Sequence, residues 1–182
     1  AMLDPLTSLP NRRKLDDFLF QEWQRCLRAH APLSCLMVDI DPFRRFNDTE
    51  GRLRGDQGLP DIADTLHRFV RRPSDIVSRF GGEEFVLILG ETPLRDAIAM
   101  AEQIRTAIMG MAPGSSGYHD PVTVSIGVAS RIPQRGQHET ILIDEADQAL
   151  YRAKLGGRNR VEVADPEAQQ HAMGTFPLLE TP

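Results

Sequence analysis

The sequence predicts an α/β fold with a mixed β-sheet in one main domain. Short apolar runs typical of strands alternate with amphipathic stretches typical of helices, and one pair of runs is separated by a glycine turn. The chain has 182 residues, which suffices for one well-cored domain and is too short for two of ordinary size. Strands alternating with helices favour a sheet covered by helices, and a hairpin among them makes that sheet mixed.

The first half of the chain predicts a helix, a strand and a second helix. The first helix follows Asn11, a residue type common at N-caps, and places apolar residues at helical spacing: Leu15, Phe18, Leu19, Trp23 and Cys26. The run "LSCLMVDID" is too short for a stable helix and predicts a strand. A short helical turn in "FRRFND" and a glycine-rich loop "EGRLRGD" then lead to a helix from about Gln57 to Arg71.

The second half predicts a hairpin followed by two helices and two strands. "DIVSRF" and "EFVLIL" flank Gly81 and Gly82, which tolerate the backbone conformation of a hairpin turn. "PLRDAIAMAEQIRTAIMGM" is the cleanest amphipathic helix. "VTVSIGVAS" predicts a strand, "IDEADQALYRAKLGG" a helix capped by its two glycines, and "RVEV" a last strand. We assign residues 1–164 to the domain and residues 165–182, which lack periodicity, to an irregular C-terminal tail.

Composition narrows the classes of function. A formal net charge of −5 argues against a protein that coats nucleic acid or lies on a membrane surface, since such proteins carry a basic excess. No apolar stretch approaches the roughly 20 residues of a membrane span, and no signal-peptide pattern is visible. We expect Cys26 and Cys35 to be buried free thiols and not to form a disulfide. We therefore expect a cytoplasmic domain with no nucleic-acid partner and no direct membrane contact, although a longer parent protein could be membrane-anchored.

Carboxylates lie at two places that a sheet can bring together. Asp39 and Asp41 end the first strand, and Glu83 and Glu84 follow the glycine pair. Each pair alone is more often a solvated strand end. If the two strands are neighbours, up to four carboxylates meet at one edge, and such oxygen clusters are what Mg²⁺ accepts.

The surrounding residues suit a phosphate-bearing ligand. Gly81 and Gly82 leave the backbone bare, so a phosphate or ribose can approach it. Lys154 and Arg158 lie four residues apart where the last helix ends and are expected on the same side. The alternative is that these two cations bind no ligand and simply complement the negative end of the helix dipole at the C-terminus.

In order and spacing, several motifs resemble the GGDEF family of diguanylate cyclases. They are "DPLTSLPNRR" at 4–13, "DIDPFRRFNDTEG" at 39–51, "GD" at 55–56, "GGEEF" at 81–85, "VSIGVA" at 124–129 and "ADQALYRAKLGGRNRV" at 146–161. The resemblance covers nearly the whole domain. It implies a palm-like βαββαβ core and condensation of two GTP molecules into cyclic di-GMP at a homodimer interface.

The resemblance also implies the site residues. Asp39, Glu83 and the carbonyl of Ile40 would hold Mg²⁺ (or Mn²⁺), and Glu84 falls at the adjacent acidic position of the catalytic set. The resemblance implies that phosphates are bound by the backbone around Phe43 and Arg44 and by the side chains of Lys154 and Arg158. It implies that Asn47 and Asp56 bind guanine and that Leu59 lines the base pocket. Gly81 and Gly82 would form the turn whose backbone the substrate approaches.

An R-x-x-D pattern, Arg72 and Asp75, stands just ahead of the signature and resembles the family's site for product inhibition by cyclic di-GMP. The simpler alternative is a helix end followed by a turn at Pro73, with both charges in solvent. The chain has Gln103 where many relatives place a further arginine, which predicts weaker inhibition. Other departures from the family pattern are Pro42, Arg44, Glu50 and Arg52.

Two other functions are compatible with the sequence. One is a non-catalytic GGDEF domain that binds GTP or cyclic di-GMP as a receptor. The other is an interaction or dimerisation module whose acidic turn is a solvated loop. Domains of this family usually follow a sensory or receiver module, so an upstream regulatory domain is expected in a longer parent.

Overall fold

The structure, a computed structural model, describes residues 2–42, 48–111 and 122–165, with the backbone alone for residues 48–57. Its elements are α1 (Arg12–Ala29), β1 (Leu33–Ile40), α2 (Asp48–His67), β2 (Asp75–Gly81), β3 (Glu84–Leu89), α3 (Leu94–Met109), β4 (Val124–Arg131), α4 (Thr140–Leu155) and β5 (Val161–Val163). Predictions made for the tail from residue 166 onward lie outside these residues.

The strands form one mixed sheet in the order β2-β3-β1-β4-β5. Strand β1 is central and runs antiparallel to both β3 and β4, while β4 and β5 are parallel. The series β1-α2-β2-β3-α3-β4 is the predicted βαββαβ core. The predicted mixed sheet and core are therefore confirmed.

The helices cover both faces of this sheet. Alternate residues of β1 face opposite sides: Leu36 and Val38 belong to an apolar cluster with α2 and α3, whereas Cys35 and Met37 belong to a second cluster with α1 and α4. By the same alternation, Asp39 lies on the face of α1 and α4.

The predicted first helix is confirmed at its N-cap. Asn11 is in an extended conformation, and its side-chain oxygen accepts a hydrogen bond from the backbone N–H of Lys14 at 3.1 Å.

The second helix was predicted too short. It begins at Asp48 rather than Gln57, includes the segment assigned to a glycine-rich loop, and ends at His67 rather than Arg71. Glycines and Pro60 made this segment a poor helix by local propensity. The second half of the helix packs in the core, where Ile62 and Leu66 are buried.

Helix α4 lies directly on the sheet at Gly127. An added Cβ there would lie 2.0 Å from the carbonyl oxygen of Ala146 and 2.3 Å from the amide nitrogen of Leu150. Only glycine allows so close an approach. This contact fixes the height of α4 above β1 and β4, and with it the position of the C-terminal turn of the helix.

In the part of the chain that the structure describes, no helix is both long and apolar enough to cross a membrane.

Glu145 on α4 is a buried acid with an incomplete set of partners. It is 1% exposed and forms an ion pair with Arg131 at the end of β4. Its Oε2 atom has no hydrogen-bond partner among the described residues. Burial raises the pKa of Glu145, and the adjacent Arg131 guanidinium opposes this rise only in part.

We expect Glu145 to make the folded state relatively less stable as pH rises. Because its pKa is raised in the fold, its favourable contribution is fully present below the unfolded value of about 4.3 and is lost as pH passes through the folded value. The free energy of unfolding is measured by urea titration for the wild type and for Glu145→Gln. The wild-type value minus the Glu145→Gln value should therefore decrease as the pH rises from 4 to 7. Glu102→Gln, on the exposed face of α3, is the control; a flat difference for Glu145→Gln would contradict the prediction.

Candidate active site

The end of β1 and the start of β3 bring two carboxylates together at one edge of the sheet. Asp39 is the register partner of Glu84 in the antiparallel β1–β3 ladder. Directly opposed residues in such a ladder have side chains on the same face, about 5 Å apart at Cβ. The predicted neighbourhood of the two strands is confirmed, and the acidic edge lies on the side of α1 and α4.

Lys154, in the last turn of α4, reaches this edge. Its Nζ forms an ion pair with Oδ2 of Asp39, and the two side chains are 35% and 15% exposed. The close contact of α4 with the sheet at Gly127 brings the lysine within reach. Asp39 and Lys154, predicted separately from two distant motifs, thus lie in one site.

The electrostatics of the edge favour an added cation. Burial raises the pKa of Asp39 despite the opposing effect of Lys154, and the nearby Asp41 charge adds to the rise. Burial also raises the pKa of Glu84, and the negative charge of Asp39 is the next cause. Two partly desolvated carboxylates that repel each other gain from a cation placed between them.

The glycine turn beside this pair is open. An added Cβ at either Gly81 or Gly82 would meet no atom within 4 Å, and Gly82 has a left-handed φ of +54°. Glu83 is exposed at the turn, and its carbonyl accepts a hydrogen bond from the N–H of Ile40 at 3.2 Å. The turn is therefore joined to the end of β1, with both glycines facing open space.

Arg79 holds the turn in place, a role the sequence reading missed. Its Nε and Nη2 donate to the carbonyl of Gly82 at 3.0 and 2.9 Å, and its Nη1 donates to the carboxylate of Asp4 at 3.1 Å. Although burial raises the pKa of Asp4, hydrogen bonds from Thr7 and the charge of Arg79 lower it overall. The signal was present in the sequence as the D-x-x-T spacing of a local cap and an arginine two residues before the glycines.

Asp41 does not join the other carboxylates, which corrects the prediction that up to four meet. Its side chain is buried and accepts hydrogen bonds from Thr123 Oγ1 at 2.7 Å, Ser125 Oγ at 2.6 Å and the N–H of Asn159 at 3.0 Å. These donors fill most of its acceptor sites. Asp41 ties β1 to β4 and to the loop after α4.

Arg158 lies beyond the end of α4, as the predicted glycine stop implies, so helical spacing alone does not place it on the side of Lys154. The helix ends at Leu155 in a Schellman motif, in which the N–H of Arg158 donates to the carbonyl of Ala153 at 3.0 Å. Gly157 takes the left-handed position with φ +119°. The glycine cap was predicted correctly, but it turns the chain away from the helix axis before Arg158.

Arg72 and Asp75 form a forked pair at the other end of the hairpin, in which only the carboxylate is buried. The Nε and Nη2 atoms of Arg72 donate to the two oxygens of Asp75 at 3.0 and 2.8 Å. Nη2 also donates to the carbonyl of Gly90 at 2.7 Å and to Thr92 Oγ1 at 2.8 Å. The Asp75 side chain is 3% exposed, so the alternative with both charges in solvent is wrong.

This pair is remote from the acidic edge. Asp75 is the register partner of Leu89, whereas Gly81 is that of Glu84. The five residue steps from Glu84 to Leu89 along β3 correspond to roughly 17 Å.

Several predicted site residues lie outside the described residues. These are Phe43, Arg44 and Asn47, together with the side chain of Asp56. Leu59 is described; it is 1% exposed and belongs to the core cluster that contains α2 and α3. Gln103 is exposed on α3.

Comparison with known proteins identifies the family. Residues 1–160 match the family described as "Diguanylate cyclase, GGDEF domain". The chain belongs to the GGDEF family.

Individual relatives agree with this family assignment. The domain is 41% identical over 164 residues to diguanylate cyclase DgcP of Pseudomonas aeruginosa, covering 90% of this chain and 24% of DgcP. It is 39% identical over 165 residues to response regulator PleD of Caulobacter vibrioides, covering 88% of this chain and 36% of PleD. The chain thus spans roughly a quarter to a third of these two relatives.

The fold also matches a solved GGDEF domain. The GGDEF domain of DgcB from Caulobacter crescentus, solved in complex with c-di-GMP, superposes with a TM-score of 0.80 at 32% identity. The match covers 90% of this chain and 93% of that one.

The acidic edge of this GGDEF domain fits a magnesium ion. Among residues 2–42, 48–111 and 122–165, apart from side chains 48–57, there is no group of three or more His, Cys, Asp or Glu suited to a metal. Mg²⁺ needs no such cage, since it binds through one or two carboxylates together with water and substrate phosphates. Asp39 and the carboxylates at the turn carry oxygen atoms of the type that such a site needs.

The two glycines of the GGDEF turn should respond differently to alanine. We expect Gly82→Ala to destabilise the domain by about 1 kcal/mol, because its φ is left-handed. Gly81→Ala should leave the free energy of unfolding unchanged or raise it by up to about 1 kcal/mol. The added methyl group would meet no atom in the fold, and alanine reduces the conformational freedom of the unfolded chain. If the bare backbone serves a ligand, Gly81→Ala should nevertheless weaken binding of a GTP analogue with Mg²⁺, measured by calorimetry. Unchanged binding would show that the ligand does not approach this glycine.

Proposed function

We propose that this GGDEF domain is a diguanylate cyclase, which condenses two GTP molecules into cyclic di-GMP with release of pyrophosphate. The observation that carries the proposal is the opposed pair Asp39 and Glu84 beside an open glycine turn, with Lys154 on the same edge. Such a site combines metal-binding oxygens, a cation and a backbone that a nucleotide can approach.

The catalytic role belongs to Asp39, Glu83 and Glu84. Asp39 and Glu83, with the carbonyl of Ile40, would hold Mg²⁺ or Mn²⁺. When bound, the metal neutralises phosphate charge and favours the ionised 3′-hydroxyl. Glu84, next to Glu83 in the chain, would accept the proton that the attacking hydroxyl loses.

Substrate binding is divided between phosphates and base. Lys154 and Arg158 supply the cations for the triphosphate, supported by backbone amides around Phe43 and Arg44. Guanine would be read by Asn47 and Asp56, because a carboxylate accepts from its N1–H and N2–H₂ groups, with Leu59 at the base pocket. The exposed fraction of the Lys154 side chain, 35%, leaves its ammonium accessible to a phosphate.

The reaction requires two copies of the domain. One acidic edge and one glycine turn present one GTP, whereas each new bond joins the 3′-oxygen of one GTP to the α-phosphorus of the other. Two domains that face each other through their β2–β3 turns would complete the site. We therefore propose a catalytic homodimer.

The Arg72–Asp75 pair is proposed as the site of product inhibition by cyclic di-GMP. Asp75 holds the guanidinium of Arg72 in a fixed plane, and the arginine side chain is still 48% exposed. A planar, oriented guanidinium suits a phosphate or the O6/N7 edge of guanine. The DgcB domain was solved with c-di-GMP, which supports this ligand class.

An upstream regulatory domain is a further proposed partner. PleD is named a response regulator, and the chain spans 36% of its length. A domain that works as a dimer can be controlled by whatever sets the distance between the two copies.

Incubation with GTP and Mg²⁺, with products resolved by chromatography, tests the activity. We expect cyclic di-GMP as the product and a rate per domain that rises with protein concentration. Asp39→Asn and Glu83→Gln should each lower the rate by about 100-fold or more, because each removes a carboxylate that would hold the metal at the reacting phosphates. Both variants should keep the wild-type unfolding temperature within a few degrees or exceed it, since a self-repelling charge is removed.

Asp17→Asn, an exposed carboxylate on α1, is the matched control. Binding of nucleotide without any product would favour the receptor alternative. A concentration-independent rate would argue against the homodimer.

Arg72→Lys is expected to weaken cyclic di-GMP binding at least about tenfold in titration calorimetry, because lysine keeps the charge near Asp75 but loses the fork. Lysine is preferable to alanine, which would leave the buried Asp75 carboxylate without a cation. Arg71→Ala, at the neighbouring exposed arginine, is the control. The reverse substitution Gln103→Arg should tighten binding. Equal affinity of wild type and Arg72→Lys would place the inhibitory site elsewhere.

A further inference from the structure

The loop after α4 is held in an unusual backbone conformation. Gly157, Arg158 and Asn159 are three consecutive residues with left-handed φ values of 119°, 66° and 44°. Glycine adopts this region freely, but residues with a Cβ do so only when surrounding contacts enforce it. The two non-glycine residues therefore need anchors.

Side chains from two other elements supply those anchors at Asn159. Its N–H donates to Oδ2 of Asp41 at 3.0 Å, and its Oδ1 accepts from Nη1 of Arg105 at 3.0 Å. Asp41 is held more rigidly than Arg105, because its side chain is buried and accepts hydrogen bonds from Thr123 and Ser125.

Arg158 lies between the cap of α4 and this anchor. Its own N–H is bound to Ala153, and the next N–H along the chain is bound to Asp41. Its side-chain Nε is buried without a hydrogen-bond partner among the described residues. Such a donor is costly to leave unpaired and indicates a guanidinium placed for an external acceptor.

We propose that Asp41 is a positioning residue for phosphate binding, acting through Arg158. The Asp41 carboxylate fixes the backbone directly after Arg158. The loop is therefore held in one conformation, and the Arg158 guanidinium is oriented toward the phosphate before the phosphate binds. This inference rests on the proposed function in one respect, namely that Arg158 binds a GTP phosphate. It assigns to the second aspartate of "DID" a role different from that of Asp39.

A double-mutant cycle distinguishes positioning from a general structural role. Asp41→Ala should weaken binding of a non-hydrolysable GTP analogue by about 10- to 100-fold, the usual cost of releasing an oriented group. In an Arg158→Ala background the same change should have little further effect, because the group it positions is gone. Asp41→Asn should restore most of the affinity, since its amide oxygen can accept from Asn159 while its NH₂ donates to Ser125.

A merely structural role would instead lower the binding-competent fraction in both backgrounds equally, without changing the affinity of the remainder. Direct metal ligation by Asp41 would raise the Mg²⁺ concentration needed for binding, including in Asp41→Asn. Either result would overturn the proposal. Asp17→Ala is the control for loss of an exposed carboxylate.

Hydrogen exchange separates failure of this inference from failure of the proposed function. Amide exchange across residues 156–160, measured by mass spectrometry without nucleotide, should be faster in Asp41→Ala than in the wild type or Asp41→Asn. Unchanged exchange would show that Asp41 does not hold the loop and would overturn the inference. If the wild type binds no GTP analogue, the proposed function is wrong, and the phosphate-directing part of the inference is overturned with it.

Discussion

The antiparallel register of β1 against β3 is the constraint on which the site depends. It sets Asp39 opposite Glu84, beside the glycine turn that connects β2 to β3. Side chains of a strand alternate between faces, so a slip of one residue would move Asp39 to the opposite face, away from Lys154. The side chains of both strands are packed into apolar clusters on the two faces of the sheet, so such a slip would disrupt the packing on both faces.

The acidic edge carries an electrostatic cost that the rest of the fold offsets. Burial raises the pKa of both Asp39 and Glu84, so their ionised forms are disfavoured without a partner. The partner that the fold supplies is Lys154, which reaches the edge because α4 lies against the sheet at Gly127. A single close helix–sheet contact thus determines the charge balance of a site at the end of that helix.

The two ends of the hairpin differ in their side-chain contacts. At the turn, carboxylates and open glycines leave room for a metal and a nucleotide. At the other end, Arg72 and Asp75 are already paired and tied to the backbone at Gly90. In the proposed function, ligands would complete the first end, whereas the side chains of the second end are already paired with each other. Substitutions therefore remove different contacts at the two ends: at the first, the ion pair of Asp39 with Lys154, and at the second, the fork between Arg72 and Asp75.

The sequence by itself determined the mixed sheet, most of the element boundaries and the family, because these depend on local periodicity, turn residues and short motifs. Its errors came where local preference did not decide the outcome. The glycine-containing start of α2 is helical despite its poor local propensity, and Asp41 is bound by donors from distant parts of the chain. Only the tertiary structure decided that Asp39 faces Glu84 while Asp41, two residues further on, turns to Ser125 and Asn159. Both aspartates look alike in sequence, and the donors that surround each one in the fold make one a candidate metal ligand and the other an anchor.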